Sequence, residues 1–340
     1  MRKFITFIIF VVLLGLVTSY LVPLRFSSRY PKDPGPEFDR RVRTNFTEDI
    51  DKKTPEIVII GDSTLKESTD FNQLSQALGK TTYGIANPGS STAFWYLALK
   101  NNIAPAEHKP EYLVIFFRDT MLTTPEFRVE GKEYFEIIDE YAAADEPLLL
   151  ELSYLGQMNA LEKIMSRYLP IFADRDQIHA SIEYRIKHSL PVLFGCGEVC
   201  VSRALSTVYW VDLDEEAAFQ IQNEQEIYLR RADKLLFNRQ LSRSYLPEFE
   251  RITRENNIQL ILVEMKTLKK PPAILIGLLH KRYMNDLHTY AEEHGIPIIS
   301  FIDDPRLPDE YFPDGFHLGR EYIPYFTNLL AEALEPILED

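Results

Sequence analysis

Cysteine is nearly missing from this 340-residue chain, where Cys196 and Cys200 are the only two. Structural zinc usually takes four ligands, and no Cys/His pair lies close enough to complete a set, so no metal is expected. Outside the cytoplasm two cysteines this close can close a short disulfide loop; two free thiols are the alternative, and neither state carries catalytic weight. Positive charge is also scarce. The 37 Lys and Arg against 51 Asp and Glu leave a net charge of −14. Such a surface repels phosphate backbones, and with no basic stripe to offset it, nucleic acid is not an expected partner. Glycine-rich phosphate loops are absent too. Neither G-x-G-x-x-G nor G-x-x-x-x-G-K-[ST] occurs, which argues against dinucleotide and nucleotide functions, so no cofactor is expected.

What is present is the composition of a globular protein, 45% hydrophobic and 26% charged, long enough for one large domain or a domain with an insertion. Residues 1–24 stand apart. No charge occurs between Lys3 and Arg25, and Ile, Leu, Val and Phe dominate the run. About 20 apolar helical residues span a bilayer core, so a single transmembrane anchor is expected. Arg2 and Lys3 favour an inside amino terminus, although Arg25, Arg29 and Lys32 place positive charge on the far side as well. A secretory signal cleaved near Val17-Thr18-Ser19 is the competing reading; either way the body lies outside the cytoplasm, secreted if cleavage occurs. Residues 25–54 are polar and proline-bearing and read as a linker.

From Glu56 a strand-then-helix rhythm begins. EIVIIGDS (56–63) is a short apolar run of branched residues that reads as a buried parallel strand; TTYGIANPG (81–89) is a second, weaker strand ending in a turn, and EYLVIFFRDT (111–120), NIQLILVEMK (257–266) and GIPIISF (295–301) supply three more. Stretches 64–79, 90–104 and 273–294 are long enough for crossover helices, and 320–338 supplies a closing helix. The expected fold is therefore α/β, a parallel five-stranded flavodoxin-like sheet with helices on both faces, built from 55–120 and 251–340. Residues 121–250 are too long for a connection and carry long helical patterns, so an inserted helical cap is expected there.

Two short motifs could carry chemistry. Gly61-Asp62-Ser63 ends the first strand and opens a helix, where a tight turn would expose the hydroxyl beside backbone N–H groups. A serine needs a base to become a nucleophile. Asp314-Gly315-Phe316-His317 lies in a turn-rich stretch before the last helix, and an aspartate three residues before a histidine can accept its Nδ1 hydrogen and leave Nε2 free as that base. His179, His188, His280 and His288 fall on helical patterns and His294 closes one, so surface or core-filling roles suit them better.

Gly-Asp-Ser after the first strand and Asp-x-x-His before the final helix together resemble the SGNH/GDSL hydrolase family across the core elements, about 55–120 and 257–336. The resemblance implies Ser63 as nucleophile, with Asp314 and His317 as its orienting acid and base. It also implies an oxyanion donor from the backbone of Gly89, which ends Asn87-Pro88-Gly89 after the second strand. The chain departs from the family after the third strand. The family's Gly-x-Asn-Asp gives way to Phe117-Arg118-Asp119, so Arg118 stands where an asparagine donor is expected. Arginine could hold an oxyanion or an anionic substrate, or it could form an ion pair with Asp119 or another local acid.

An anchor, an exported body and this motif set resemble the SGNH-type proteins that add or remove acetyl groups on cell-surface polysaccharide. The expected activity is a serine acyl-ester hydrolase or O-acetyltransferase acting on acylated carbohydrate or a small ester, with the membrane as a partner. The alternative is a catalytically silent module that binds glycan or a membrane-bound acyltransferase.

Overall fold

The computed structural model describes residues 2–26, 30–36, 38, 41–125, 138, 140–173, 195, 235–267 and 274–339. Cys196 and Cys200, with their expected disulfide, lie outside the described residues, as do His179 and His188. The chain forms two compact units, one of residues 37–153 and 223–340, the other of residues 1–36 and 154–222.

The larger unit is built on five parallel strands: β1 Ile57–Gly61, β2 Thr82–Ala86, β3 Tyr112–Phe117, β4 Gln259–Glu264 and β5 Ile298–Ser300. Their order is β2-β1-β3-β4-β5, the doubly wound arrangement expected of the sequence. β1 is buried at every residue, so both of its faces must be covered by helices. On one face Ile57, Ile59, Val114, Phe116, Ile261 and Val263 meet Leu65, Leu74, Phe326, Leu330 and Leu334. Those partners come from helices α3 Ser63–Lys66, α4 Phe71–Leu78 and, near the carboxyl end, Ile323–Leu338. Each such side chain contributes roughly 1.5–3 kcal/mol by leaving water. The alternate residues Val58, Ile60, Leu113, Ile115, Leu260 and Leu262 are buried as well, on the opposite face. Helix α5 Thr92–Ala98 is wholly buried and runs on into a π-helical turn, Leu99–Ile103.

Two local features depart from expectation. The stretch 64–79 is two helices rather than one, because Asp70 restarts the helix by accepting the Asn72 and Gln73 N–H groups at 2.9 and 3.1 Å. Within the expected linker, Asn45–Lys53 forms helix α2, with Ile50 fully buried and the Thr47 hydroxyl bonded to the Asn102 carbonyl at 3.1 Å.

The smaller unit contains helix α1, Arg2–Phe26, and helix α6, Ala160–Tyr168. Among the described residues no helix is long and apolar enough to cross a membrane, so the expected transmembrane anchor is not found there. On α1 the described side chains run from Lys3 to Ser19 with Leu21, a shorter stretch than the apolar run of the sequence. Most of the large apolar ones are exposed, Phe4 by 67% and Phe10 by 61%.

Candidate active site

Gly61 ends β1 with no room for a side chain. A Cβ there would lie 2.8 Å from the Leu65 Cβ and 3.0 Å from the Phe116 Cβ, so glycine lets α3 close onto the strand. Asp62 is extended (φ −95°, ψ −153°) and caps α3, its Oδ1 accepting the Thr64 N–H at 2.8 Å and the Thr64 hydroxyl at 2.6 Å. Ser63 is then the first helical residue, beyond the carboxyl end of the strand.

From the other end of the chain comes the loop before the last helix. Asp314 Oδ1 accepts the backbone N–H groups of Phe316 and His317 at 2.9 and 2.8 Å, which curls the loop back on itself. Its Oδ2 lies 2.6 Å from His317 Nδ1. An ionised carboxylate can only accept, so Nδ1 carries the hydrogen and Nε2 is left as an acceptor. His317 Nε2 lies 2.8 Å from Ser63 Oγ, across 254 residues of sequence. Ser63 and His317 are each only 8% exposed. The structure thus brings Ser63, His317 and Asp314 into one hydrogen-bonded chain, as the two motifs require.

Burial alone would push the His317 imidazole down and the Asp314 carboxyl up. Burial is the largest single influence on each, but the bond between them together with the neighbouring charges and donors overcomes it on both sides. The bond holds His317 above its ordinary 6.5, with help from the charges of Asp314, Glu67 and Asp62, and holds Asp314 below its ordinary 3.8, with help from the two backbone donors.

Asn87-Pro88-Gly89-Ser90 forms a turn docked against β1. The Asn87 N–H donates to the Gly61 carbonyl at 3.1 Å, and the Ser90 hydroxyl reaches the same carbonyl at 3.3 Å. Trp95 Nε1, fully buried, donates to Ser90 Oγ at 3.0 Å and fixes the turn from behind. Gly89 has φ 73°, a left-handed conformation that favours glycine. Among the described residues, the N–H groups of Ser63 and Gly89 donate to no other group.

Arg118 follows β3, as expected, and the acid it faces is Asp62 rather than Asp119. It is 1% exposed and faces Asp62, with Nε 3.6 Å from Oδ2, while its guanidinium carbon lies 4.6 Å from the centre of the Phe316 ring. Asp119, the nearest acid in sequence, turns instead towards Thr267 (3.4 Å) and His280 (3.5 Å). Its φ of 50° directs the chain that way. Asp62, Ser90 and Phe316 therefore belong to the site although none stood out in the sequence. The signal for Asp62 and Phe316 was adjacency, since each immediately precedes one of the two residues that meet there, Ser63 and His317.

His294 has a structural setting, 2.7 Å from Glu250 and stacked on Tyr290. A cavity of about 820 Å³ opens at the carboxyl ends of β4 and β5, between Glu264, Ser300, His280 and His288, and none of the three triad residues lines it. Among the described residues no group of His, Cys, Asp and Glu could hold a metal ion.

No protein-family model and no curated protein matches this chain. Solved structures similar to it include a GDSL-like lipase from Bacteroides thetaiotaomicron, 10% identical over 85% of this chain and 89% of that one, with a TM-score of 0.37. Another is a chain assigned provisionally as an SGNH hydrolase from Slackia heliotrinireducens, 11% identical over 82% and 97%, TM-score 0.37. A third, assigned provisionally as an acylhydrolase, comes from Bacteroides fragilis, 10% identical over 87% and 94%, TM-score 0.40. Likeness at that level assigns no activity to this chain.

Proposed function

We propose that the chain is a serine-dependent acyl-ester hydrolase or O-acetyltransferase, attached to a membrane through α1 and acting outside the cytoplasm on cell-surface carbohydrate. The observation that carries the enzymatic part is the 2.8 Å contact between Ser63 Oγ and an imidazole already oriented by Asp314. That is the geometry a general base needs to take a hydroxyl proton.

Reaction proceeds by acyl transfer in two steps. His317 Nε2 takes the Ser63 proton as Oγ attacks the ester carbonyl, and the resulting imidazolium is stabilised by Asp314. The Ser63 and Gly89 N–H groups, free to donate, receive the charge that builds on the carbonyl oxygen. Collapse breaks the ester C–O bond, and His317 returns its proton to the leaving alkoxide. Water, or a sugar hydroxyl, then gives a proton to His317 while attacking the acyl-serine, and Ser63 leaves as the reprotonated hydroxyl.

Membrane attachment is supported by the uncharged run between Lys3 and Arg25 and by the outward apolar side chains of α1. Helix α6, in the same compact unit, adds exposed Leu161, Ile164 and Tyr168, with Ile171 beyond its end, at helical spacing. Carbohydrate as the acceptor rests on the sequence resemblance alone.

Two experiments test this reading. The full chain should release acetate from p-nitrophenyl acetate, and Ser63→Ala should abolish the release while leaving the circular dichroism spectrum unchanged; equal rates would reject the enzyme. Fractionation of cells should recover the chain with membranes, its body open to external protease. Recovery in the soluble cytosol would reject the attachment.

A further inference from the structure

We infer that Arg118 is a positioning residue, a buried cation that clamps the nucleophile turn to the base loop and offsets part of the Asp62 charge felt by His317. The inference rests on the reading of Ser63 and His317 as nucleophile and base.

Taking a guanidinium out of water is costly unless it is paired and hydrogen-bonded. Arg118 is 1% exposed, yet among the described residues its Nε and Nη2 have no hydrogen-bond partner. Among the described residues its acid neighbour is Asp62, with Nε 3.6 Å from Oδ2 and both side chains almost wholly inaccessible. Arg118 also lies over the face of Phe316, at 4.6 Å. Asp62 immediately precedes Ser63, and Phe316 immediately precedes His317. A single side chain from the end of β3 therefore touches the neighbour of each reacting residue, on segments 254 positions apart.

Neither contact is free to drift. Asp62 is pinned through Oδ1 by Thr64, so its Oδ2 points a fixed charge at Arg118. Phe316 is pinned by the N–H it donates to Asp314. Among the described residues, carboxylates that act on His317 include Asp314, Glu67 and Asp62, and its ring also meets Ser63. Asp314 is the orienting partner, and Asp62 is the acid whose charge Arg118 partly offsets. The planar guanidinium can face a carboxylate and lie on a ring at once, which a lysine ammonium does less well. With only a trace of its surface accessible, Arg118 serves the reaction through Asp62 and Phe316 rather than by gripping substrate.

The test measures kcat and KM for p-nitrophenyl acetate across pH in the full chain carrying Arg118→Met, Arg118→Lys, Asp62→Asn, or Arg118→Met with Asp62→Asn. Arg118→Met should lower kcat by about tenfold or more, as small misplacements of reacting groups do, with KM little changed. It should also move the acid limb of the profile to higher pH, because Asp62 then acts on His317 unopposed. Arg118→Lys should restore the limb, and adding Asp62→Asn to Arg118→Met should bring it back as well. A raised KM at unchanged kcat would make Arg118 a substrate ligand and overturn the inference. A lower kcat with an unmoved limb would make it an oxyanion donor and overturn it equally. If Arg118→Met does not fold, Asp62→Asn alone decides, since the clamp requires its limb to fall below that of the wild type. Titration of His317 by NMR in the same variants reads the offset without turnover, so an inert wild type rejects the proposed activity while the clamp is still judged.

Discussion

Changing Asp314 to Asn separates orientation from shape at the site. The amide keeps an oxygen where Oδ1 now accepts the Phe316 and His317 N–H groups, so the loop retains the bonds that curl it. At the Oδ2 position, 2.6 Å from Nδ1, it presents a donor instead of an acceptor. His317 then favours the tautomer with hydrogen on Nε2, which cannot take the Ser63 proton 2.8 Å away. The same exchange in the well-studied serine protease triad lowers kcat by about 10⁴, and a loss of that order is expected here. Losing one charge-assisted hydrogen bond should lower stability by about 1.5–3 kcal/mol. Initial rates on p-nitrophenyl acetate and urea denaturation of the same preparations measure the two effects. Activity within tenfold of the wild type would refute the assignment of Asp314 as the orienting acid.

Other consequences follow from the same geometry. Turnover needs neutral His317, whose folded value lies above 6.5, so kcat/KM should rise with pH along a limb centred above 6.5; a limb centred below it would contradict the coupling to Asp314. The charged imidazolium is the form Asp314 stabilises, so its contribution to stability is full below 6.5 and is lost as pH rises through the raised folded value. Thermal melts of the wild type should show this decline across that window, and His317→Gln should lack it. Gly61→Ala would force a Cβ against Leu65 and Phe116 at 2.8–3.0 Å and should destabilise the chain by about 1–3 kcal/mol in urea titration, as overpacking does. Ser90→Ala would leave the buried Trp95 N–H without its acceptor; a loss of about 1–3 kcal/mol, with reduced kcat from a looser Gly89 turn, is the expected result.

The three central strands could be read from the sequence because β1, β3 and β4 are short runs rich in apolar residues and almost wholly buried. Ile57–Gly61 and Tyr112–Phe117 fall inside the runs that mark them. β5 is shorter than its run, only Ile298–Ser300, and is partly exposed. The break at Asp70 was harder to see, since a capping aspartate inside a helical pattern looks like any polar residue until its oxygen meets N–H groups. Helix α2 was hidden in the same way. Its NFTEDIDKK is largely polar, and it is tied to the core by the buried Ile50 and by Phe46, whose ring meets those of Phe94 and Tyr141. At the site, Asp314 and His317 were legible because their bond is local, whereas the meeting of His317 with Ser63 depends on the order of strands in the sheet. The partner of Arg118 could not be read from its neighbours in sequence. Asp119 lies beside it along the chain, but Asp62 lies beside it across the sheet, because β1 and β3 are paired.

The most direct measurement exposes the folded chain to a fluorophosphonate and locates the adduct by peptide mass spectrometry. One label on Ser63, abolished by His317→Ala while the variant remains folded, is the result this account predicts. Failure of Ser63 to react in the folded wild type, or equal labelling when His317 is removed, would contradict it.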